Sequence, residues 1–245
     1  MIPIRGVPLI QPRDDLVAIV LESLKTAGDR FRTGDILVIT QKIVSKSEGA
    51  MVDLKACRPS RKAQSLARSC GKDPRLVELI LRESKKVLRR GPNLLVTEHK
   101  QGWACANAGI DTSNVAGSWV TLLPRDPDQT AGRIRRRIRD LTGAEVAVVI
   151  IDSHGRPFRR GAVGVALGSA GISALVNKRG SKDLFQYRLR STEIALADDL
   201  ASAASLLMGQ ADEGIPAVVI RGLSYPKGRS KSLDLIRPEE YDLFR

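Results

Sequence analysis

At 245 residues, with 42% apolar side chains, the chain is long enough to bury one large core or two smaller units that share one. Forty Lys and Arg against 27 Asp and Glu leave a formal charge of +13, a field that concentrates nucleic acid, polyphosphate or polycarboxylate near the surface. With only 4% aromatics and no stacking residues interleaved among the basic ones, nucleic acid is the weakest of these partners; Cys57, Cys70 and Cys105 show neither metal-ligand spacing nor the even count of a disulfide framework.

Residues 1–6 lack the charged start and apolar run of a signal peptide, and no stretch is apolar for long enough to span a bilayer. The expectation is a reduced, cytoplasmic protein without membrane insertion. Residues 14–24 repeat Leu16, Ile19, Val20 and Leu24 at helical spacing behind the acidic pair Asp14-Asp15, which suits a helix start. Gly34-Asp35 then turns the chain into a buried strand over residues 36–39, and Thr40-Gln41-Lys42 sits at its end, a common ligand position.

Residues 60–70 and 74–84 read as consecutive helices, the first ended by Gly71, the second capped by Asp73 with Pro74 in its first position. After a strand at residues 94–96, residues 103–114 carry small and polar side chains and read as a functional loop. Residues 133–141 form a basic amphipathic helix with Ile134, Ile138 and Leu141 on its apolar face and Arg135, Arg136, Arg137 and Arg139 turned outward. The clearest buried strand, residues 146–151, is expected to end in the turn Asp152-Ser153-His154-Gly155.

Gly161, Gly164, Gly168 and Gly171 imply close backbone packing or tight turns. An Ala-rich helix over residues 194–208 is expected to bury Leu196, Leu200, Ala203 and Leu207 and to stop at Gly209, ahead of the acidic loop at residues 210–214 and a strand at residues 217–220. Beyond Gly222 the polar tail is expected to hold the least structure. Helices and strands interleave without a linker or repeat, so the fold class is α+β and the chain reads as one unit over residues 1–245.

No Gly-rich loop ends in Gly-Lys-Ser or Gly-Lys-Thr, and no dinucleotide fingerprint follows a strand. With His99 and His154 the only histidines, a histidine-rich zinc site or a Ser-His-Asp hydrolase is disfavoured. Oxygen and amide donors remain: Asp111, Asn114, Asp152, Ser153, Gln210 and Asp212, on three loops beside apolar segments. Carboxylates gathered around phosphate repel one another unless divalent cations lie between them, and magnesium or manganese prefers such donors. Each aspartate taken singly also reads as an ordinary turn cap, and Lys42 and Lys46 as exposed lysines. Arg156, Arg159 and Arg160 form a cationic group beside Asp152 that suits bidentate binding of carboxylate or phosphate.

Six stretches together resemble the coenzyme F420-0:L-glutamate ligases. They are Gly6-Val7-Pro8-Leu9-Ile10 with residues 40–49, Asn107-Ala108-Gly109-Ile110-Asp111-Thr112-Ser113-Asn114, Asp152-Ser153-His154-Gly155-Arg156 continuing through Phe158-Arg159-Arg160-Gly161, and Leu207-Met208-Gly209 with Gly214-Ile215-Pro216-Ala217-Val218. The likeness runs in order from about residue 3 to residue 223. It implies that Val7, Pro8, Leu9, Ile10, Gln41, Lys42, Lys46 and Asn114 contact GTP, together with Met208, Gly209, Gln210, Ala211, Asp212, Glu213, Gly214 and Ile215.

By the same resemblance Asp111 and Asp152 hold one divalent cation, Ser153 and Gln210 a second, and Asp111, Asp152, Lys46 and Arg159 are the catalytic group. Ser153 stands where many members have Thr, Gln210 where some have Glu, and His154 replaces an Asn; from Gln186 onward the match loosens. The implied chemistry is GTP-dependent addition of L-glutamate to F420-0 through an acyl phosphate, with Mg²⁺ or Mn²⁺ and an assisting monovalent cation such as K⁺. The implied assembly is an intertwined homodimer without a fused C-terminal reductase-like domain. A ligase with another acceptor and a non-catalytic anion-binding protein are the competing readings.

Overall fold

The structure is a computed structural model and describes residues 1–228 and 230–243. The chain runs through β1 (Ile2–Ile4), α1 (Leu16–Thr26), β2 (Ile36–Thr40), α2 (Gln41–Ser47) and β3 (Met51–Asp53). It continues through α3 (Arg61–Cys70), α4 (Pro74–Glu83), β4 (Ser84–Gly91), β5 (Leu94–His99), β6 (Ala104–Ala106) and β7 (Trp119–Thr121). The second half holds α5 (Pro127–Thr142), β8 (Ala147–Arg156), β9 (Arg159–Ala170), β10 (Val176–Asn177), β11 (Glu193–Ile194), α6 (Leu196–Met208) and β12 (Ala217–Ile220).

The central sheet has the order β1-β12-β2-β8-β9, with β2 and β8 parallel and the other pairs antiparallel. Its strands are apolar where both faces are covered, and the outer ends of β8 and β9 turn polar. Alternation sends Leu37, Ile39, Val148 and Ile150 into a core shared with α1 and α5, and Ile36, Val38, Val149 and Ile151 into a second core beneath α6. A smaller lobe between β2 and α5 packs α3 and α4 on the β4-β5-β6 sheet around Cys70, Val77, Ile80 and Leu95. All three cysteines are buried and free. The class is α+β with mixed sheets, and no helix of the described residues is long and apolar enough to cross a membrane.

Local signals account for the helix ends. The Asp15 carboxylate accepts the Val17 and Ala18 N–H groups, Ser60 Oγ accepts that of Ala63, and Asp73 accepts that of Arg75 ahead of α4. Gly71 closes α3 at φ 70°.

Several expectations need correction. β8 does not turn at Asp152-Ser153-His154-Gly155; it continues to Arg156, paired with β9 throughout, and the reversal falls at Pro157-Phe158. Pairing across a hairpin sustains extended backbone where an isolated polar run would turn. Arg135 is not turned outward: its Nε donates to the Val146 carbonyl at 2.9 Å, and the guanidinium pairs with Glu145. Leu141, in the last turn of α5, is exposed because the helix outruns the sheet it covers. The buried face of α6 is Ala197, Leu200, Ala201, Ala204 and Met208, a rotation toward small residues that lets the helix approach β9 closely. The polar tail carries a 3-10 turn at Ser232–Leu235, and Ser232 is fully buried.

The glycine series behaves as expected. A Cβ on Gly164 would lie 2.4 Å from the Ala201 carbonyl oxygen, and one on Gly168 would lie 2.3 Å from the Pro127 carbonyl carbon. Both obstacles are backbone and cannot rotate away. Gly168→Ala is therefore expected to cost about 3 kcal/mol, at the upper end of overpacking penalties, and to lower Tm by roughly 6–12 °C. Thermal unfolding checks this; a Tm within about 2 °C of the parent contradicts the close approach of α5 to β9.

Candidate active site at one edge of the central sheet

Strand register brings the family-like segments to one edge. Ile4 pairs with Ala217, Ala217 with Ile39, and Ile39 with Ile150, a row crossing four strands. Just beyond this row residues 5–10 leave β1, residues 208–216 enter β12, α2 follows β2, and Asp152 follows Ile151. The Thr40 N–H donates to the Pro216 carbonyl at 2.9 Å, and the Arg13 N–H to the Ser47 carbonyl at 2.8 Å, which fixes two of these segments against α2.

α2 divides its side chains by periodicity. Gln41 and Ser45 face inward, where Ser45 Oγ donates to Gln41 Oε1 at 3.0 Å, while Lys42 and Lys46 share the other face. Lys42 Nζ lies 2.8 Å from Asp111 Oδ2 and donates to Ser113 Oγ at 2.6 Å; Lys46 Nζ donates to the Asn114 carbonyl at 2.7 Å. The Ser113 N–H donates to Asp111 Oδ1 at 2.7 Å. Left-handed backbone at Asn107, Ala108, Gly109 and Asn114 folds this loop tightly, and Ala108 is a sparsely populated conformation for a residue with a Cβ.

The electrostatics follow from that clamp. Burial acts to raise the Asp111 carboxyl, but the Lys42 ammonium and the Ser113 N–H outweigh it and hold the group below the usual carboxylate range. Burial and then the neighbouring Lys42 push the Lys46 ammonium down, with Asp111 opposing them. Burial, then the Asp152 charge, drive the Cys105 thiol up to about 12, so this cysteine on β6 is an inert neighbour of Asp152 rather than a nucleophile.

On β8 successive side chains take opposite faces. Asp152 Oδ2 lies 3.2 Å from His154 Nε2 on one face, at ion-pair distance but without hydrogen-bond geometry, so Nε2 stays a buried atom with no hydrogen-bond partner. Ser153 takes the other face and donates from Oγ to Gln210 Oε1 at 2.9 Å. Gln210 follows Gly209, which ends α6 at φ 69°; the loop then folds back as the Ala211 N–H donates to Glu213 Oε2 at 2.8 Å, and such backbone donors hold the Glu213 carboxyl low.

Two groupings result: Lys42, Lys46, Asp111 and Asn114 on one side, and Ser153 with Gln210 on the other, with Asp152 between their segments. Met208, Ile215 and Ile10 are buried as packing for this edge, while Pro8 and Leu9 are exposed beside it and Val7 is partly buried. Gly214 has positive φ, and Asp212 is exposed. Arg159 is not brought to the edge within one chain. It opens β9 opposite Arg156, four residues past Asp152 on β8, which is about 13 Å along a strand. Ser113, Cys105 and the pairing of His154 with Asp152 were missed from sequence; only the i, i+2 spacing of the last could have signalled it.

The donors Asp111, Asp152, Ser153 and Gln210 are hard oxygen groups; Asp111 accepts the Lys42 ammonium, and Ser153 meets Gln210 across two segments. Oxygen donors of this type suit a divalent ion. Among the described residues no group of three or more His, Cys, Asp or Glu side chains gathers as a metal site, in keeping with a donor set that holds only two carboxylates.

These features define an α+β protein with an oxygen-rich, lysine-bearing sheet edge suited to polyanions. The family model described as F420-0:Gamma-glutamyl ligase matches residues 5–222. The "Coenzyme F420:L-glutamate ligase" of Methanothermobacter thermautotrophicus is 48% identical over 249 residues, covering 100% of this chain and 98% of that protein. The protein of the same name from Methanocaldococcus jannaschii is 50% identical over 212 residues, covering 86% and 85%, and that from Archaeoglobus fulgidus is 43% identical over 243 residues, covering 99% and 95%. The chain belongs to the F420-0:gamma-glutamyl ligase family.

Proposed function

We propose that the chain joins L-glutamate to coenzyme F420-0 with GTP as cosubstrate, through an acyl phosphate, and extends the product by further γ-linked glutamates where the acceptor allows. The observation that supports this best is the row Ile4–Ala217–Ile39–Ile150, next to which Lys42, Lys46, Asp152, Ser153 and Gln210 lie in their segments, with Asp111 held 2.8 Å from Lys42. A carboxylate is a poor electrophile. Its oxygen attacks the γ-phosphorus of GTP, GDP departs, and the resulting acyl phosphate carries a good leaving group. The glutamate amine then attacks the acyl carbon, phosphate leaves with its electron pair, and the surplus amine proton passes to solvent.

In this reading Lys42 and Lys46 position phosphate oxygens, since phosphoryl transfer depends on placement and electrostatics. Asp111 and Asp152 hold one Mg²⁺ or Mn²⁺ and Ser153 and Gln210 a second, with a monovalent cation such as K⁺ as an assisting ion. Bound there, the divalent ions screen the phosphate charge from the carboxylates. Residues 7–10 and 208–215 line the nucleotide, with Pro8 and Leu9 exposed to meet it. The active form is a homodimer, in which the extended β8–β9 hairpin makes Arg159 available to a second copy.

The test is product mass. Purified protein with GTP, Mn²⁺ or Mg²⁺, L-glutamate and F420-0 should add one or more glutamyl residues; no mass increase, alongside a control ligase that extends the same precursor, overturns the proposal.

A further inference from the structure

Beside the sheet edge, on the His154 side, lies a cavity of about 210 Å³. Four separate parts of the chain enclose it: Trp103 from the β5–β6 turn, His154 from β8, Asp198 from the first turn of α6, and Ser232, Ile236 and Arg237 from the C-terminal segment. The volume falls below the ~300–1,000 Å³ of pockets for drug-sized ligands and matches a small metabolite better than a nucleoside triphosphate or a deazaflavin.

The lining carries groups of both signs that are short of partners. Trp103 is only 8% exposed, and its indole Nε1 is buried without an acceptor, an arrangement native structures rarely leave unexplained. His154, also in the lining, has an Nε2 without a hydrogen bond that stands 3.2 Å from Asp152 Oδ2, which joins this space to the edge described above. Asp198 uses Oδ1 to accept the Ala166 N–H at 2.8 Å; burial and then the adjacent Asp199 charge raise its carboxyl, so an incoming cation would relieve it. Ser232 is already satisfied by the Leu167 carbonyl and Asp128 and serves as wall. Arg237 is exposed, and Asp242 lines the same space.

A small cavity with an unpaired indole N–H in its wall and a guanidinium for an anion, and the Asp198 and Asp242 carboxyls for a cation, matches a zwitterion. The geometry points to this cavity as the seat of the amino-acid substrate, with Trp103 and Arg237 on the carboxylate groups of L-glutamate and Asp198 on its ammonium, next to Asp152. The assignment rests on the ligase reading above for the identity of the amino acid, and on the cavity alone for its zwitterionic class. The acceptor and the nucleotide then approach along the sheet edge, and the amino acid arrives from the opposite side of His154.

Trp103 is itself a reporter, because the only other tryptophan, Trp119, is exposed on β7 and can be replaced. In Trp119→Phe protein, with and without GDP and Mg²⁺, fluorescence should respond saturably to L-glutamate and at least tenfold more weakly to glutarate, which lacks the amine. Equal response to both marks a plain anion site and overturns the assignment, as does no response under either condition. In turnover, Trp103→Phe and the exposed Arg237→Gln should each raise KM for L-glutamate roughly tenfold, the loss of one charge-assisted hydrogen bond, while KM for GTP stays unchanged. An unchanged glutamate KM, or a matching rise for GTP, overturns it. Selective glutamate binding without glutamyl addition to F420-0 leaves the cavity standing and removes the ligase reading; normal addition with no effect of either variant does the reverse.

Discussion

Asp152→Ala and Asp111→Ala protein should each lose glutamyl transfer by roughly 10³-fold, the scale of several kcal/mol of transition-state charge stabilisation, while remaining folded. The two substitutions act differently. Asp152 lies where the parallel pair β2–β8 ends, and removing its carboxylate leaves α2 and the loop at residues 107–114 in place. Removing the Asp111 carboxylate also frees Lys42, whose ammonium it holds at 2.8 Å, so nucleotide affinity should change as well as turnover. Steady-state kinetics with added Mn²⁺ separate the cases: excess metal should restore part of the activity of Asp152→Asn, which keeps an oxygen donor, and none of Asp152→Ala. Wild-type turnover from either alanine variant would remove these carboxylates from the chemistry.

The second large effect is on stability. His99 is buried against Trp103, with ring centroids 5.5 Å apart, and its Nδ1 accepts the Gln101 N–H at 3.1 Å, a bond that only the neutral ring can accept there. Burial dominates and brings its pKa down to about 4, with Glu83 opposing and Lys100 and Lys85 assisting. A depressed histidine favours the unfolded state as pH falls, because the unfolded ring takes up a proton near pH 6.5 while the folded ring stays neutral until about 4. The contribution is therefore intact above about pH 6.5 and lost progressively below it, amounting to about 2 kcal/mol at pH 5. Urea unfolding at pH 7 and pH 5 should show that loss in the parent protein and a flatter dependence in His99→Gln. An identical pH dependence in both proteins would show that His99 titrates normally.

Much of the scaffold is legible residue by residue. Asp15, Ser60 and Asp73 mark helix starts, Gly71 marks an end, and the apolar runs of β2 and β8 mark buried strands, because caps and periodicity are local physics. Gly164 and Gly168 likewise announce close backbone approach, although not what approaches. The errors fall where neighbours far away in sequence decide. β8 outlasts its apolar run because β9 pairs with it, and α6 turns its alanines inward because Gly164 lets it come near. Arg135 finds the Val146 carbonyl only after α5 has packed.

For the site, the chemistry of Lys42, Asp111, Asp152, Ser153 and Gln210 could be read from residue type and family likeness, but their meeting could not. Ile4 and Ala217 lie at opposite ends of the chain, and only strand register places them in one row. The cavity beside His154 is less legible still, since its donors come from a turn, a strand, a helix start and the C-terminal segment, and only the strand carries a motif. Register and closure of this kind are long-range properties that no local window contains.

Isotope transfer in the full reaction addresses the chemistry most directly. F420-0 labelled with oxygen-18 in its carboxylate, incubated with the protein, GTP, divalent metal and L-glutamate, should release inorganic phosphate carrying one labelled oxygen for each amide formed. Phosphate released without label, while amide accumulates, would mean that the carboxylate is never phosphorylated and that the lysines and oxygen donors at the sheet edge serve another reaction.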